Sequence, residues 1–234
     1  MMVKSLLPLS LLFVVFSGAA QAKTLWSDYS LTYLKGDNYE VGDNKREVIT
    51  FEYSSGTTWG DTFMFFDRLE SDNGDTETYG EFSPRFKISD LEASFMKNLY
   101  VATTIEIGDG FTNYLYGLGT DLVVPGFNFF QLNAYRRNND AGDGSYQLTA
   151  AWAVPIGPLM YDGFMDYASG VDNTAFGDTK PNMNLTSQLK YDVAPHLGLE
   201  TKLYLGVEYV YWNNKFGIDG VDERNVNLLV KYHF

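Results

Sequence analysis

One short stretch of the sequence, 59–70, alternates carboxylates with aromatic rings. Asp61, Phe63, Phe65 and Asp67 occur at every second position, so in a β-strand their side chains would share one face. Ionised carboxylates accept hydrogen bonds, and aromatic rings stack on flat groups such as heterocyclic bases. The pattern predicts a surface that could hold a flat, partly apolar solute with polar edges.

Residues 159–168 repeat this pattern. Asp162, Phe164 and Asp166 again fall at alternate positions. Core strands of soluble proteins put aromatic residues inside and carboxylates outside, so a face that mixes the two indicates a different setting.

The chain offers little for catalysis. Its only histidines are His196 and His233, and neither is predicted to lie beside a serine that it could activate. There is no cysteine, hence no disulfide framework and no thiolate zinc site. We predict a protein that is not an enzyme and carries no cofactor and no metal. The acidic loops at 70–77 and 172–178 match no EF-hand pattern, and we interpret them as solvated loops, with calcium binding as the alternative.

The N-terminus carries an export signal. Lys4 precedes an apolar run and a short series of small residues that ends at Ala22, which is the pattern of a secretory signal peptide. We predict a signal peptide over 1–22 and a single mature domain over 23–234.

Charge and composition narrow the class of protein. With 30 acidic and 17 basic residues the formal net charge is −13, so the chain is not expected to bind nucleic acid through its overall field. Aromatic residues make up 16% of the chain, and no apolar stretch after the signal is long enough for a spanning helix. An exported, cysteine-free and tyrosine-rich chain of this kind is typical of a β-barrel of the bacterial outer membrane.

The C-terminus shows the strand pattern most clearly. In 223–234, Val226 and Leu228 alternate with Asn225 and Asn227. The same alternation predicts an all-β, antiparallel transmembrane barrel of about twelve strands, an even number as single-chain bacterial barrels require. The predicted strands are 26–35, 48–54, 59–69, 78–89, 96–107, 113–122, 127–137, 145–154, 159–168, 182–192, 197–212 and 223–234. Short connections alternate with longer polar ones, which predicts that both termini are periplasmic and the long loops external.

Charge decides which face of each strand points inward, because the outer face must be apolar and the lumen can be polar. Asp61 and Asp67 must then face the lumen, and Phe63 and Phe65 follow them. The same argument gives a lumen wall that we predict to be substrate-binding: Asp61, Phe63, Phe65, Asp67, Arg85, Tyr100, Glu106, Asp162, Phe164, Asp166, Tyr204 and Glu208.

Four basic residues have the opposite parity and lie at predicted external strand ends: Lys35, Arg68, Arg136 and Arg224. The phosphates of lipopolysaccharide lie at that level of the membrane, so we hypothesise a cationic belt that pairs with them. The alternative is that these are ordinary strand-end residues turned into solvent.

A nucleoside fits the predicted lumen. Its base offers π-faces for stacking, and its ribose and base edges offer hydrogen-bonding groups. It lacks the phosphate that an acidic lumen would repel, and a ladder of weak sites lets a solute leave as well as enter. The residues alone leave the alternative open that the aromatic rings only fill the barrel.

Four stretches carry a resemblance to a known family: WGDTFMFFDR, YGEFSPRFKIS, YGLGTDLVVPGFNFFQLNAYRR and the C-terminal GVDERNVNLLVKYHF. With these and the start WSDYSLTYL, essentially the whole mature chain resembles the nucleoside-specific channel-forming (Tsx-like) family, in particular its outer-membrane protein K branch. The resemblance implies a monomeric twelve-stranded barrel that passes nucleosides or similar small solutes passively through a narrow lumen. It also implies that the strand with Asp61 and Asp67 lines the passage.

Two alternatives to a nucleoside channel stay open. Some members of that family serve as phage or colicin receptors, so the competing interpretation is a receptor or adhesion barrel whose external loops bind a partner. The other is a general small-solute pore. In each case the outer face contacts outer-membrane lipids and lipopolysaccharide.

Overall fold

The computed structural model describes residues 22–93, 95–175 and 177–234. The predicted signal peptide lies outside the described residues except for Ala22, so the cleavage site stays a prediction. In the described ranges no helix is long and apolar enough to cross a membrane.

The chain forms twelve antiparallel strands that close into one barrel, in which each strand pairs with its sequence neighbours and β1 pairs with β12. This confirms the predicted fold class and strand number. The strands are β1 (Thr24–Gly36), β2 (Arg46–Thr57), β3 (Gly60–Ser71), β4 (Thr76–Ala93), β5 (Met96–Gly108), β6 (Phe111–Leu122), β7 (Phe129–Asn138), β8 (Ser145–Ile156), β9 (Leu159–Ala168), β10 (Asn182–Asp192), β11 (Leu203–Asn213) and β12 (Glu223–His233).

The two faces of the wall differ in the way the sequence predicts. On β12, Asn225 and Asn227 are 0% and 1% exposed, whereas Val226 and Leu228 are 54% and 67% exposed. Polar side chains are therefore turned into the barrel and apolar ones out of it, which is the arrangement a lipid bilayer demands. Closure also pairs the first strand with the last one, so among the described residues the sheet has no free edge strand.

The barrel has two different rims. Both chain ends of the barrel, Thr24 and His233, lie at one rim, which we call the terminus end; the connections 58–59, 94–95, 123–128, 157–158 and 193–202 also lie there. The opposite rim, the loop end, carries the connections 37–45, 72–75, 109–110, 139–144, 169–181 and 214–222. The assignment of the terminus end to the periplasm stays a prediction.

One connection at the terminus end differs from its prediction. The alternating pattern predicted a strand over 197–212, but a short helix, α1 (Ala194–Leu197), occupies the start of that range and β11 begins only at Leu203. Pro195 lies in the first turn of α1, and Gly198 ends it with a left-handed φ of 68°. A proline in the first turn and a left-handed glycine at the end are helix signals that the period-two pattern concealed.

Candidate solute site in the lumen

Strand register fixes which side chains face the lumen, because directly opposed residues share a face. Asn227, Glu208, Gln188 and Asp162 form one opposed row across four strands, and Asn227 is buried inside the barrel. By the same register all residues of the predicted wall face inward: Asp61, Phe63, Phe65, Asp67, Arg85, Tyr100, Glu106, Asp162, Phe164, Asp166, Tyr204 and Glu208. Their role in binding a solute stays a prediction.

Four inward aromatic rings follow one another along the wall of β3, β4 and β6, and we call them the aromatic row. The ring centroids of Phe63 and Phe65 are 6.0 Å apart, those of Phe65 and Tyr79 5.7 Å, and those of Tyr79 and Phe111 6.4 Å. These are the spacings of interacting aromatic pairs. The row runs from the terminus-end half of the lumen to the loop end, and Phe63 and Phe111 are 41% and 38% exposed.

Sequence reasoning missed half of this row. Tyr79 has the parity of Arg85, which the sequence predicts to face inward, so the alternation contained the signal. Phe111 falls between the predicted strands 96–107 and 113–122, whereas β6 begins at this residue.

The carboxylate of Asp61 is not free to meet a solute. Arg85 donates two hydrogen bonds to it, at 2.8 and 2.6 Å, and a third, at 2.8 Å, to Asp121. Asp121 also accepts hydrogen bonds from Tyr100 at 2.6 Å and from Asn98 at 2.9 Å. The guanidinium lies 4.2 Å from the centre of the Tyr100 ring, so that ring face is occupied as well.

Two other predicted carboxylates are ion-paired in the same way. Arg137 donates to both oxygens of Glu106, at 2.7 and 2.6 Å. Lys190 donates to both oxygens of Asp162, at 2.8 and 2.6 Å, and its ammonium lies 5.4 Å from the centre of the Tyr204 ring. These ion pairs are part of the barrel wall, and their carboxylates are not free to accept hydrogen bonds from a solute.

Five inward carboxylates have no basic partner within ion-pair distance in the described chain: Asp67, Glu81, Asp166, Asp192 and Glu208. Glu81 accepts from the Tyr79 hydroxyl at 2.7 Å, and Glu208 accepts from Gln188 and Asn227 at 2.9 and 3.0 Å. One oxygen of Asp67 is buried without a partner. Every inward base of the described strands, by contrast, is paired with an acid.

The remaining predicted residues have simpler surroundings. Phe164 lies opposite Ala151 and Thr186. His233 meets the edge of the Tyr204 ring and contacts Asp28 at 2.8 Å. His196 stacks on Tyr191 outside the lumen wall.

The connection 37–45 turns into the lumen, and we call it the inward strap. Its residues follow the inner face of β12 from one side chain to the next. The backbone N–H of Asn38 donates to Asn225 at 3.2 Å and the Tyr39 hydroxyl donates to Asn227 at 3.0 Å. Burial, together with the carboxylates of Glu208 and Glu223, raises the pKa of Tyr39 above its ordinary value. The strap therefore narrows the lumen at the loop end.

The four bases of the predicted belt face outward at the loop end. Lys35 pairs with Glu47 at 2.6 Å. The guanidinium of Arg136 lies over the Tyr146 ring at 4.7 Å and that of Arg224 over the Tyr211 ring at 4.9 Å. Arg68 donates to the Thr78 hydroxyl at 3.1 Å.

The closed twelve-stranded wall, apolar outside and polar inside, defines the class of protein: a bacterial outer-membrane β-barrel. Among solved structures the KdgM porin is similar, with a TM-score of 0.53 and 12% identity over 89% of this chain and 99% of that one. A second structure, of the KdgM porin in complex with disordered oligogalacturonate, gives a TM-score of 0.52 and 11% identity over the same shares. At these identities the likeness concerns the fold alone. No protein-family model matches the chain, and neither does any curated protein.

Proposed function

We propose that the protein is an outer-membrane channel for passive uptake of nucleosides or similar small solutes. The observation that carries this proposal is the aromatic row, which offers successive ring faces along the lumen instead of one pocket. Stacking of a base on an aromatic ring contributes about 1–3 kcal/mol, so each position would hold a base weakly enough for it to move on. Conduction requires several such weak sites.

The charges of the lumen favour an uncharged solute. Asp67, Glu81, Asp166 and Glu208 have no basic partner among the described residues, whereas every inward base of the described strands is paired with an acid, so inward acids outnumber inward bases. A polyanion such as the oligogalacturonate of the KdgM porin complex would be repelled here. Hydroxyl and amide groups of a nucleoside could donate to these oxygens instead.

Ion conductance in planar bilayers tests the proposal. We expect added nucleosides to reduce the current more than sugars of equal size, and nucleoside monophosphates to reduce it less than the parent nucleosides. Equal block by nucleosides and sugars would overturn the nucleoside assignment and leave a general small-solute pore.

A receptor role is the second candidate, and contacts between the loops favour it. The backbone N–H of Asp143 donates to Asp172 O, and the Asn173 amide donates to the Asp143 carboxylate, both at 2.8 Å. Lys180 N–H donates to Gly217 O at 2.8 Å. The loops 139–144, 169–181 and 214–222 thus form one ordered surface of the kind a protein partner could bind. We expect a receptor to lose phage or colicin sensitivity when 169–181 is replaced, while nucleosides still block the current.

We also propose that the outward bases at the loop end bind the phosphates of outer-leaflet glycolipid. Arg68, Arg136 and Arg224 form no ion pair in the described chain, although the protein has far more acids than bases. Beside Lys35, a cleft of about 460 Å³ has a mixed lining of bases, acids and lipid-facing apolar residues: Lys35, Lys45, Arg46, Asp37, Glu47, Asp72, Val226 and Leu228. The three arginines, and not this cleft, therefore carry the proposal. From the resemblance to the nucleoside-specific channel-forming family, we further propose that the protein is a monomer.

A further inference from the structure

The ammonium group of Lys215 is enclosed at the loop end of the lumen. It lies 4.9 Å from the centre of the Trp212 ring, 5.3 Å from that of Phe216 and 5.8 Å from that of Tyr39. Its nitrogen donates to Glu223, whose side chain is 1% exposed. Three aromatic rings and a carboxylate around one ammonium form the kind of site that binds organic cations. We call this set the ammonium cage.

The backbone beside Lys215 is held in an unfavourable conformation. Asn214 and Phe216 have left-handed φ angles of 47° and 58°, a region that side chains other than glycine rarely adopt. Burial also lowers the pKa of Lys215, against the opposing effect of Glu223. Such a conformation persists only where surrounding contacts compensate for it. Asn214 bonds to Asp222 and to the Pro181 carbonyl, and the ammonium cage adds the contacts between Lys215 and the Phe216 ring.

Glu223 connects the cage to the inward strap. It accepts a hydrogen bond from the backbone N–H of Glu40 at 2.9 Å as well as the one from Lys215. Tyr39, the residue before Glu40, contributes one ring of the cage and also bonds to Asn227 inside the lumen. One ammonium thus holds together two connections, 37–45 and 214–222, that come from different hairpins.

We propose that Lys215 is a tethered ammonium ligand that holds the inward strap across the loop-end mouth, and that a free primary alkylammonium can occupy the same cage when the lysine side chain is removed. Without the ammonium, Glu223 has lost its counter-ion, and the rings of Trp212, Phe216 and Tyr39 have lost the cation that they share. The strap then loses the Tyr39 side of its attachment, and the mouth widens. This deepens the proposed channel function and rests on it.

Chemical rescue tests the proposal. Lys215→Ala removes the atoms of one propylammonium beyond Cβ, so that cation matches the space left in the cage. In planar bilayers we expect K215A to conduct at least about twofold better than the parent protein. Millimolar propylammonium should return the conductance of K215A toward the parent value and leave the parent nearly unchanged.

Two controls separate the cage from general effects. Lys180→Ala removes an exposed side chain of a neighbouring loop whose ammonium makes a 4.0 Å contact with Asp219. It keeps the backbone bond to Gly217, and it should conduct like the parent. Neutral 1-propanol should not rescue K215A. Trp212→Ala together with K215A should abolish the rescue, because one wall of the cage is gone.

The outcomes distinguish this proposal from the channel function. Parent-like conductance of K215A, or equal rescue by propanol and propylammonium, would overturn the cage. Rescue by propylammonium in a barrel that nucleosides do not block would uphold the cage and remove the nucleoside assignment. If K215A does not fold, as judged by heat-modifiable migration, Lys215→Met keeps the apolar stem, and its conductance must still exceed that of the parent.

Discussion

At the scale of single residues, two kinds of inward group in the lumen contrast most clearly: ion-paired residues that build the wall and aromatic rings that stay open to a solute. Arg85 is the clearest example of the first kind, since its side chain is 4% exposed and bonds two carboxylates. Phe63 is the clearest example of the second, at 41% exposure. Substitutions at the two residues should therefore affect different properties.

Replacing both Phe63 and Phe65 with alanine should open the lumen and weaken nucleoside binding. Loss of stacking at about 1–3 kcal/mol per base predicts that the nucleoside concentration for half-block rises about tenfold or more, while ionic conductance increases. Block titrations in planar bilayers measure both quantities. Phe66→Ala, on the lipid side of the same strand, should change neither. Unaltered block and conductance in the double variant would remove these rings from the mechanism.

Replacing Arg85 with methionine should destabilise the barrel. Methionine leaves Asp61 and Asp121 without a cation inside the wall, and removing one partner of a buried ion pair costs about 3–5 kcal/mol. Denaturant unfolding in detergent or lipid measures the free energy of unfolding. Outward Arg68→Ala should stay within about 0.5 kcal/mol of the parent. An R85M protein as stable as the parent would mean that these carboxylates need no counter-ion.

At the scale of strands and loops, the sequence predicted the wall better than the contents of the lumen. Asp61 and Asp67 cannot face lipid, so their charge alone predicts which face of β3 points into the lumen. Because side chains alternate strictly along a strand, Phe63 and Phe65 must share that face. Arg85 binds Asp61 because the β3–β4 register places the two residues opposite each other. The alternation of the sequence does not predict this register. The connection 37–45 turns inward because it forms hydrogen bonds with side chains of β12. Such bonds produce no periodic pattern in the sequence.

The inward strap should become mobile when its anchors on β12 are removed. Replacing Asn225 and Asn227 with alanine deletes the acceptors for Asn38 and Tyr39. We expect trypsin to cleave the folded variant after Lys45 at least several-fold faster than the parent, because protease access requires the strap to leave the lumen. Asn184→Ala, on the inner face of β10, should not alter the rate. Equal cleavage rates would show that these two bonds do not hold the strap.

At the scale of the whole molecule, the pairing of charges separates the inside of the barrel from the outside. Inward bases of the described strands all have acidic partners, whereas Arg68, Arg136 and Arg224 have none. The guanidinium groups of Arg136 and Arg224 lie over tyrosine rings on the outer side of the wall. Under the lipid binding proposed above, an anion of the outer leaflet is their partner.

Phosphorylated lipid A should therefore bind the loop end of the barrel through these three residues. In the triple variant R68A/R136A/R224A we expect binding to weaken about tenfold or more, since a hydrogen bond to a charged group contributes about 1.5–3 kcal/mol. Titration of detergent-solubilised protein with lipid A measures this, and dephosphorylated lipid A should bind parent and variant alike. The matched control K23A/K97A/K202A removes three bases at or near the terminus end that form no ion pair in the described chain. If both triple variants lose affinity for lipid A equally, overall charge governs lipid binding and the loop-end belt does not. If only the loop-end variant loses affinity, the loop end of the barrel faces the phosphorylated outer leaflet.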